Sequence, residues 1–286
     1  MLIKNLLIPA IAIVILFSYQ SCDSQKKSKP LPTPALYDLN HPEDFTLPDD
    51  LNEISGIAYY PKDSTVFAII DEDGIFYKIY LNGSGLIKKW KFDKKRDYED
   101  VVMHDSIFYV LVSNGDIESL QFSGDSILTN KSDLAGASKK INEFESLYYD
   151  DSSGLVLICK DCEDDKKKIV TAWGYSPDSI AYTPGLFSLD VKQIAEKAGE
   201  EKLQFKPSAA ALNPLTNELY ILSSINHLLV IADKNGNVKE VYPLDHKIYK
   251  QPEGITFTPW GDLLISNEAG ESGNANILIF KPKKKG

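Results

Sequence analysis

The sequence is poor in residues that bind transition metals or support thiol chemistry. It contains four histidines and three cysteines in 286 residues. The histidines are scattered without metal-ligand spacing, so zinc and copper sites are not indicated. Neither a GxSxG nucleophile elbow nor a P-loop occurs. These absences argue against the serine hydrolases with that elbow and against the P-loop nucleotide-binding enzymes.

Positive charge is also scarce. The chain has 31 lysines and arginines against 41 aspartates and glutamates, a net charge of −10. Nucleic-acid-binding proteins attract the phosphate backbone through Lys and Arg, so a nucleic-acid partner is not expected.

Long apolar runs are missing except at the start. Lys4 precedes an apolar run from Leu6 to Phe17, which is too short to span a bilayer comfortably. This layout predicts a secretory signal peptide over residues 1–21. The segment resembles a bacterial lipoprotein signal, in which Cys22 would be lipidated, although Tyr19 departs from the usual aliphatic residue. A soluble secreted form and a retained signal anchor remain as alternatives.

The region after the signal divides into three parts. Residues 22–34 are polar and proline-containing, as in a flexible tether. Residues 35–282 have ordinary apolar content and are expected to form one domain, and residues 283–286 form a basic tail. The expected location is therefore the cell envelope, with a membrane-anchored lipoprotein facing the periplasm or the cell surface. The two other cysteines, Cys159 and Cys162, are read as a structural disulfide or two inert thiols rather than a redox pair.

An internal repeat determines the expected fold. Five times, a small or acidic residue begins a short apolar strand, a turn follows, and a second apolar strand ends in polar residues. The spacing is about 45 residues, which is typical of propeller blades. The first strands begin at Ser55, Glu99, Glu145, Ser208 and Glu253.

Later strands and turn signals complete each unit to four strands. The sequence predicts an all-β, five-bladed β-propeller, with six blades as the alternative. The segment Leu36–Leu47 is expected to supply the missing outer strand of the last blade and so to close the ring. The longer third unit is explained by a helix over Asp190–Ala198, placed between the outer strands of that blade. Trp90, Trp173 and Trp260 are expected to pack between blades.

Five short motifs carry a family resemblance. The stretch from Tyr37 to Ile57, with Asp97–Asp100, Phe144–Leu147, Lys206–Ala209 and Gln251–Ile255, resembles the SdiA-regulated family of bacterial envelope propellers. The resemblance covers nearly all of the mature chain. It implies a calcium-binding propeller whose biochemical role is unknown.

The repeat also places polar residues at the propeller axis, where the first strand of each blade lies. Aligned repeats bring Ser55, Glu99, Glu145, Ser208 and Glu253 into one ring, and Glu53 is on the same strand face as Ser55. Clustered carboxylates repel one another unless a cation joins them. Calcium accepts six to eight oxygen ligands in loose geometry, so these six residues are the predicted Ca²⁺ ligands. A water-filled channel and a different ion are the alternatives.

A second set of polar residues follows the second strand of each unit. We expect it to rim one face of the disc, where loops of a rigid scaffold commonly bind ligands. The same residues are equally typical of turns. The predicted rim consists of Asp71, Asn114, Asp161, Ser224, Asn267 and Glu268.

Two functions are consistent with these features. The first is a binding module, anchored in the membrane by its lipid, that presents one face to a protein, glycan or small-molecule partner. The second is a calcium-dependent hydrolase, since the stretch from Pro252 to Ile265 resembles blades of gluconolactonase-like propellers and, more distantly, of propeller phytases. The acidic or neutral rim argues against the phytase version, because a phosphate substrate needs cationic residues.

Overall fold

The computed structural model describes residues 30–82, 87–134, 142–162, 168–270 and 273–283. The described residues from Leu31 onward form one compact unit. The predicted signal peptide, Cys22 and most of the tether lie outside the described residues. None of the helices among the described residues is long and apolar enough to cross a bilayer.

Five antiparallel four-stranded sheets make up the fold. The chain enters through β1 (Glu43–Thr46) and a single 3-10 turn (Asp49–Leu51). Blade 1 comprises β2 (Ile54–Tyr60), β3 (Thr65–Ile70), β4 (Ile75–Tyr80) and β5 (Ile87–Lys91), and blade 2 comprises β6 (Tyr98–His104), β7 (Ile107–Val112), β8 (Ile117–Ser123) and β9 (Ser126–Ser132).

The other three blades repeat this order. Blade 3 contains β10 (Glu143–Asp150), β11 (Gly154–Asp161), β12 (Ile169–Ser176) and β13 (Ala181–Asp190). After the helix α1 (Val191–Ala198), blade 4 contains β14 (Ala209–Leu212), β15 (Leu219–Ser223), β16 (Leu228–Ala232) and β17 (Val238–Pro243). Blade 5 contains β18 (Pro252–Phe257), β19 (Leu263–Asn267) and β20 (Asn276–Phe280).

Both chain ends meet in blade 5. Strand β1 pairs antiparallel with β20, with Asp44 opposite Leu278. The Tyr37 hydroxyl, which is fully buried, donates a hydrogen bond of 2.6 Å to the Gly261 carbonyl and ties the N-terminal segment to the same blade. The predicted ring closure and the five-bladed fold are therefore confirmed.

The core consists of five apolar clusters, one between each pair of neighbouring blades. Between blades 1 and 2, for example, the ring of Phe67 lies 4.7 Å from that of Phe76 and 4.5 Å from that of Phe108. The inner strands of each blade are packed on both faces, which explains why all six residues of β3 are buried and why its residues from Val66 to Ile70 are apolar rather than alternating. Trp90 and Trp173 belong to two of these clusters, as predicted.

The prediction for the helix was right in extent but wrong in position. Helix α1 follows β13, the outermost strand of blade 3, and leads to blade 4. The Asp190 carboxylate accepts a hydrogen bond of 2.8 Å from the backbone N–H of Lys192 and caps the helix, while Gly199 ends it with φ of 75°. The buried residues Ile194 and Ala195 give the reason, because the apolar helix face packs against β17 of blade 4. The helix is a link between two blades.

Candidate functional site

The five inner strands surround a central channel. Each of β2, β6, β10, β14 and β18 contacts the next, and β18 contacts β2. The channel has two chemically different ends. The C-terminal halves of the strands line an apolar cavity of about 290 Å³, which includes Ile57, Leu147 and Phe257. The strand beginnings line a polar cavity of about 240 Å³.

The polar cavity contains the residues that the repeat predicted. Ser55, Glu99, Glu145, Ser208 and Glu253 all line it. Glu53 does not line it and is exposed. Alignment of the repeats therefore found the convergence of five side chains. Their role as metal ligands stays a prediction.

Interruptions of strand pairing place the glutamates. Tyr98 pairs with Val112 and Asp100 pairs with Leu111, so Glu99 is the extra residue of a β-bulge. Glu145 and Glu253 occupy the same position in the bulges of blades 3 and 5. A bulge redirects the side chain of its extra residue out of the regular alternation. Three blades thus use one backbone device at the mouth of the cavity.

Hydrogen bonds between neighbouring blades hold the strand beginnings together. Ser208 Oγ donates to the Pro252 carbonyl at 2.7 Å, and Ser266 Oγ donates to the Ser55 carbonyl at 3.0 Å. The fully buried Asp100 carboxylate accepts the backbone N–H of Leu147 at 2.8 Å. These bonds join blades 4 to 5, 5 to 1 and 2 to 3, which gives the cavity a rigid frame.

Sequence reasoning missed several members of the site. Asp97, Glu143 and Gln251 also line the cavity, each two residues before a predicted ligand. The same spacing had suggested only Glu53, which does not line the cavity. In all, seven carboxylates line the cavity: Asp71, Asp97, Glu99, Glu143, Glu145, Glu253 and Glu268.

The most important omission was Lys160. Its ammonium forms ion pairs with the carboxylates of Glu145 and, at 3.1 Å, of Glu143. The Lys160 side chain retains 21 % of its exposure and the Glu145 side chain 13 %. The carboxylate cluster therefore has a cationic partner within the protein itself, which the repeat pattern did not reveal. Lys160 is the penultimate residue of β11 and lies between Cys159 and Cys162, which form a disulfide with a Cα–Cα separation of 6.0 Å.

The predicted rim splits into two groups. Asp71 and Glu268 line the cavity, and Ser224 hydrogen-bonds to Glu253, so these three belong to the site itself. Asn114 instead accepts the backbone N–H of Asp116 at 3.1 Å, as a turn residue does.

The remaining two rim residues have other partners. Asp161 pairs with Lys206 at 3.3 Å, and Asn267, 1 % exposed, donates from its amide to Asn276 at 2.9 Å.

Burial and mutual repulsion change the protonation of the cavity. Burial, together with the nearby charge of Asp97, raises the pKa of Glu99 to about 8. Burial and the charges of Glu253 and Asp71 likewise raise the pKa of Glu268 to about 8. The pKa of Glu253 is raised by burial, although hydrogen bonds from Ser224 and Gln251 oppose the shift. Several carboxyl groups therefore keep their protons near neutral pH unless a cation enters.

The oxygen ligands of the cavity are of the type that a hard cation prefers, but their side chains are not already grouped around a common point. Carboxylate and hydroxyl oxygens are the ligands that calcium prefers. A buried oxygen of Asp71, Oδ1, has no hydrogen-bond partner. Nevertheless, no three His, Cys, Asp or Glu side chains of the described part of the chain are grouped closely enough to hold a metal ion. The carboxylate of Glu145 is instead ion-paired with Lys160.

Solved structures support the fold. The chain is similar to glutaminyl cyclase of Myxococcus xanthus, with a TM-score of 0.57 and 13 % identity over 85 % of this chain and 97 % of that one. It is also similar to the calcium-binding protein regucalcin of Agrobacterium tumefaciens, with a TM-score of 0.50 and 12 % identity over 87 % and 95 % of the chains. At these identities the likeness concerns the fold alone.

A third similar structure is a luciferin-regenerating enzyme, with a TM-score of 0.51 and 10 % identity over 84 % and 95 % of the chains. No curated protein matches the sequence. The family model described as SdiA-regulated matches residues 45–270, which span all five inner strands. The chain is thus a five-bladed β-propeller that belongs to the SdiA-regulated family.

Proposed function

We propose that the protein is a lipid-anchored binding module of the cell envelope whose axial cavity takes up a calcium ion. One observation carries the proposal: seven carboxylates face a single lysine in one cavity of about 240 Å³. Glu99, Glu145 and Glu253, with the hydroxyl groups of Ser55 and Ser208, would hold the ion. Calcium would neutralise carboxylates that otherwise retain protons. Regucalcin, a calcium-binding protein of similar fold, adds an analogy.

Lys160 gives this site a built-in competitor. Its ammonium already forms ion pairs with Glu145 and Glu143, so an ion that binds Glu145 must displace it. A cation with two charges compensates the cavity more completely than one ammonium. Calcium binding would then free Lys160 to contact a partner at the same face. The face that surrounds the acidic cavity is therefore the docking face of this proposal.

Calcium titration of the metal-free full-length protein tests the proposal. A ligand at about 100 times its Kd stabilises the native state by about 2.7 kcal/mol, so thermal unfolding must shift upward. The double variant Glu99→Gln with Glu253→Gln should lose the shift, whereas Glu240→Gln, an exposed glutamate on β17, should keep it. An equal shift in the double variant would contradict the site.

The Lys160→Met variant tests the competition. Removal of the ammonium should tighten calcium binding several-fold in isothermal titration, since Glu145 no longer has a competing partner. Weaker binding in this variant would show that Lys160 assists the ion. The experiment thus distinguishes a lysine that calcium must displace from a lysine that helps to bind calcium.

Anchoring in the membrane through Cys22 is the second part of the proposal. Cys22 lies outside the described residues, and its support is the sequence layout alone. The Cys22→Ser variant should move the protein from the membrane fraction to the soluble fraction and abolish incorporation of labelled fatty acid. Membrane retention without the label would favour an uncleaved signal anchor.

A calcium-dependent hydrolase is the second candidate function. The observation that favours it is the difference between two carboxyl groups of one cavity, since Glu145 is ion-paired with Lys160 whereas Glu253 accepts bonds from Ser224 and Gln251. Carboxyl groups in unlike environments are able to divide acid and base roles. Turnover of a lactone or phosphoester with calcium, lost in Glu253→Gln, would establish an enzyme in place of a binding module.

A further inference from the structure

A groove between blades 5 and 1 has a composition unlike either end of the channel. It lies where the inner strands end, on the face opposite the acidic cavity, and has a volume of about 310 Å³. Tyr59 and Thr258 line both this groove and the apolar cavity, so the two open side by side. Three aromatic and three acidic side chains in the groove matter most: Tyr59, Tyr80, Trp260, Glu43, Asp63 and Asp262.

The exposure of Trp260 contradicts the sequence prediction that it packs between blades. Its side chain contacts Tyr59 of blade 1 edge-on, with 5.6 Å between the ring centroids, yet the residue is 53 % exposed. The other exposed large apolar residues of the described chain are aliphatic: Leu128, Ile180, Leu186, Leu215 and Ile225. A large aromatic surface left in water beside a groove is typical of a binding site.

Hydrogen bonds fix the indole ring in place. Trp260 Nε1 donates to Asp262 Oδ2 at 2.8 Å, and the backbone N–H of Asp262 donates to Thr258 Oγ1 at 2.8 Å. Gly261, with φ of 94°, supplies the left-handed residue that the tight turn requires, and its carbonyl accepts the buried Tyr37 hydroxyl. The ring is therefore held ready before a ligand arrives, which lowers the entropic cost of binding.

The carboxylates of the groove are also held in position but keep acceptor capacity. Asp63 accepts from Thr65 Oγ1 at 2.7 Å and pairs with Lys78, and Asp262 accepts from Trp260. A carboxylate offers about four lone-pair sites, so each retains room for ligand donors. Lys281 also lines the groove and reduces its negative charge. The arrangement suits a neutral ligand with many hydroxyl donors better than an anion.

We infer that this groove binds a neutral saccharide, with one pyranose ring stacked on Trp260. A pyranose presents a flat face of C–H groups, which matches an exposed indole, and an edge of hydroxyl groups, which matches Asp63 and Asp262. Ligand pockets span about 300–1,000 Å³, so the groove has room for one or two sugar rings. Tyr80 also lines the groove and contributes a second aromatic side chain. This site is independent of the calcium proposal because it shares no lining residue with the acidic cavity.

Tryptophan fluorescence of the full-length protein tests the inference. The probes are cellohexaose, maltohexaose and chitohexaose at up to millimolar concentration, and tetramethylammonium chloride as the cationic competitor. Saturable change with at least one oligosaccharide is expected. Trp90 and Trp173 also contribute fluorescence. Isothermal titration of each variant with the same oligosaccharides therefore provides an independent measure of the affinity.

Matched variants assign the binding to the groove. Trp260→Ala should weaken the affinity at least tenfold, Trp260→Phe should retain part of it, and Ile225→Ala, at another exposed apolar side chain, should leave it unchanged. Asp63→Asn should weaken it several-fold. No saturation with any of the three oligosaccharides, or an affinity unaffected by Trp260→Ala, would overturn the inference. Saturation by tetramethylammonium alone would also overturn it and assign the groove to an ammonium ligand.

Discussion

The two ends of the axial channel are built from the same five strands but are lined by different side chains, mostly apolar at one end and acidic at the other. At the apolar end the inner strands pair in regular register, for example from Ile57 opposite Ala68 to Tyr60 opposite Thr65. At the acidic end the register is broken by bulges, and glutamates from three blades enter the cavity. A regular strand can give each face only every second residue. A β-bulge that is repeated in several blades around the ring is therefore enough to create an acidic site.

The two ends should therefore make contributions of opposite sign to the free energy of unfolding. The apolar end stabilises the fold through burial, since Ile57 and Leu147 are almost fully buried. The acidic end costs stability when no cation is present, because carboxyl groups are confined together.

The largest effect is expected at the apolar end. Ile57→Ala removes a side chain that is 1 % exposed and belongs to the cluster between blades 5 and 1. Such a truncation leaves a cavity and should lower the free energy of unfolding by about 3–4 kcal/mol. Chemical denaturation measures it, with Ile57→Val, at about 1 kcal/mol, as the matched control. A cost below that of the valine variant would mean that the apolar end does not support the ring.

The pH dependence of the metal-free protein should reveal the cost at the acidic end. The pKa of Glu99 and that of Glu268 are raised from 4.5 to about 8 in the folded state. Between these values the folded protein binds more protons than the unfolded chain, so stability falls as pH rises from about 4.5 through about 8. After allowance for solvent screening, the loss should be about 1–3 kcal/mol.

Thermal unfolding at several pH values measures this loss, and calcium should restore stability at the alkaline end. Stability that rises across the same interval would contradict the assigned protonation of the cavity.

A smaller effect should follow from neutralising one member of the acidic end. In metal-free buffer above pH 8, Glu99→Gln removes a confined charge and keeps the shape, so the free energy of unfolding should increase by about 1 kcal/mol. The same change at the exposed Glu240 should have no effect. A destabilised Glu99→Gln protein would show that the ionised group makes a favourable contact, and the contrast between the two ends would then be lost.

The sequence was most informative where the fold repeats. Alignment of five strand beginnings identified Ser55, Glu99, Glu145, Ser208 and Glu253, because equivalent positions of blades face one axis. The closing strand was also predicted, and the disulfide is one of the two states expected for Cys159 and Cys162. These features follow from strand order and from spacing along the chain, which a single sequence displays directly.

The sequence was less informative about features that depend on distances between blades. Lys160 lies near the end of the second strand of blade 3 and was not identified as a site residue, although it reaches the acidic cavity. Asp71 and Glu268 were assigned to a rim and instead line that cavity. Trp260 was expected to pack between blades. Its position instead depends on a loop conformation that is set by Gly261 and by the distant Tyr37. The repeat shows that such polar residues recur in each unit, but it does not show which of them reach the cavity.

The amino-acid sequence by itself determined the number of blades, their order and the closure of the ring, since apolar strands and turns at a fixed period allow few other arrangements. Tertiary structure alone decided which charges meet. The twist of each blade and the bulges of its inner strand set those distances, and an ångström of displacement decides whether two side chains form an ion pair. For that reason the acidic ring could be read from the repeat, whereas its lysine and the aromatic groove could not.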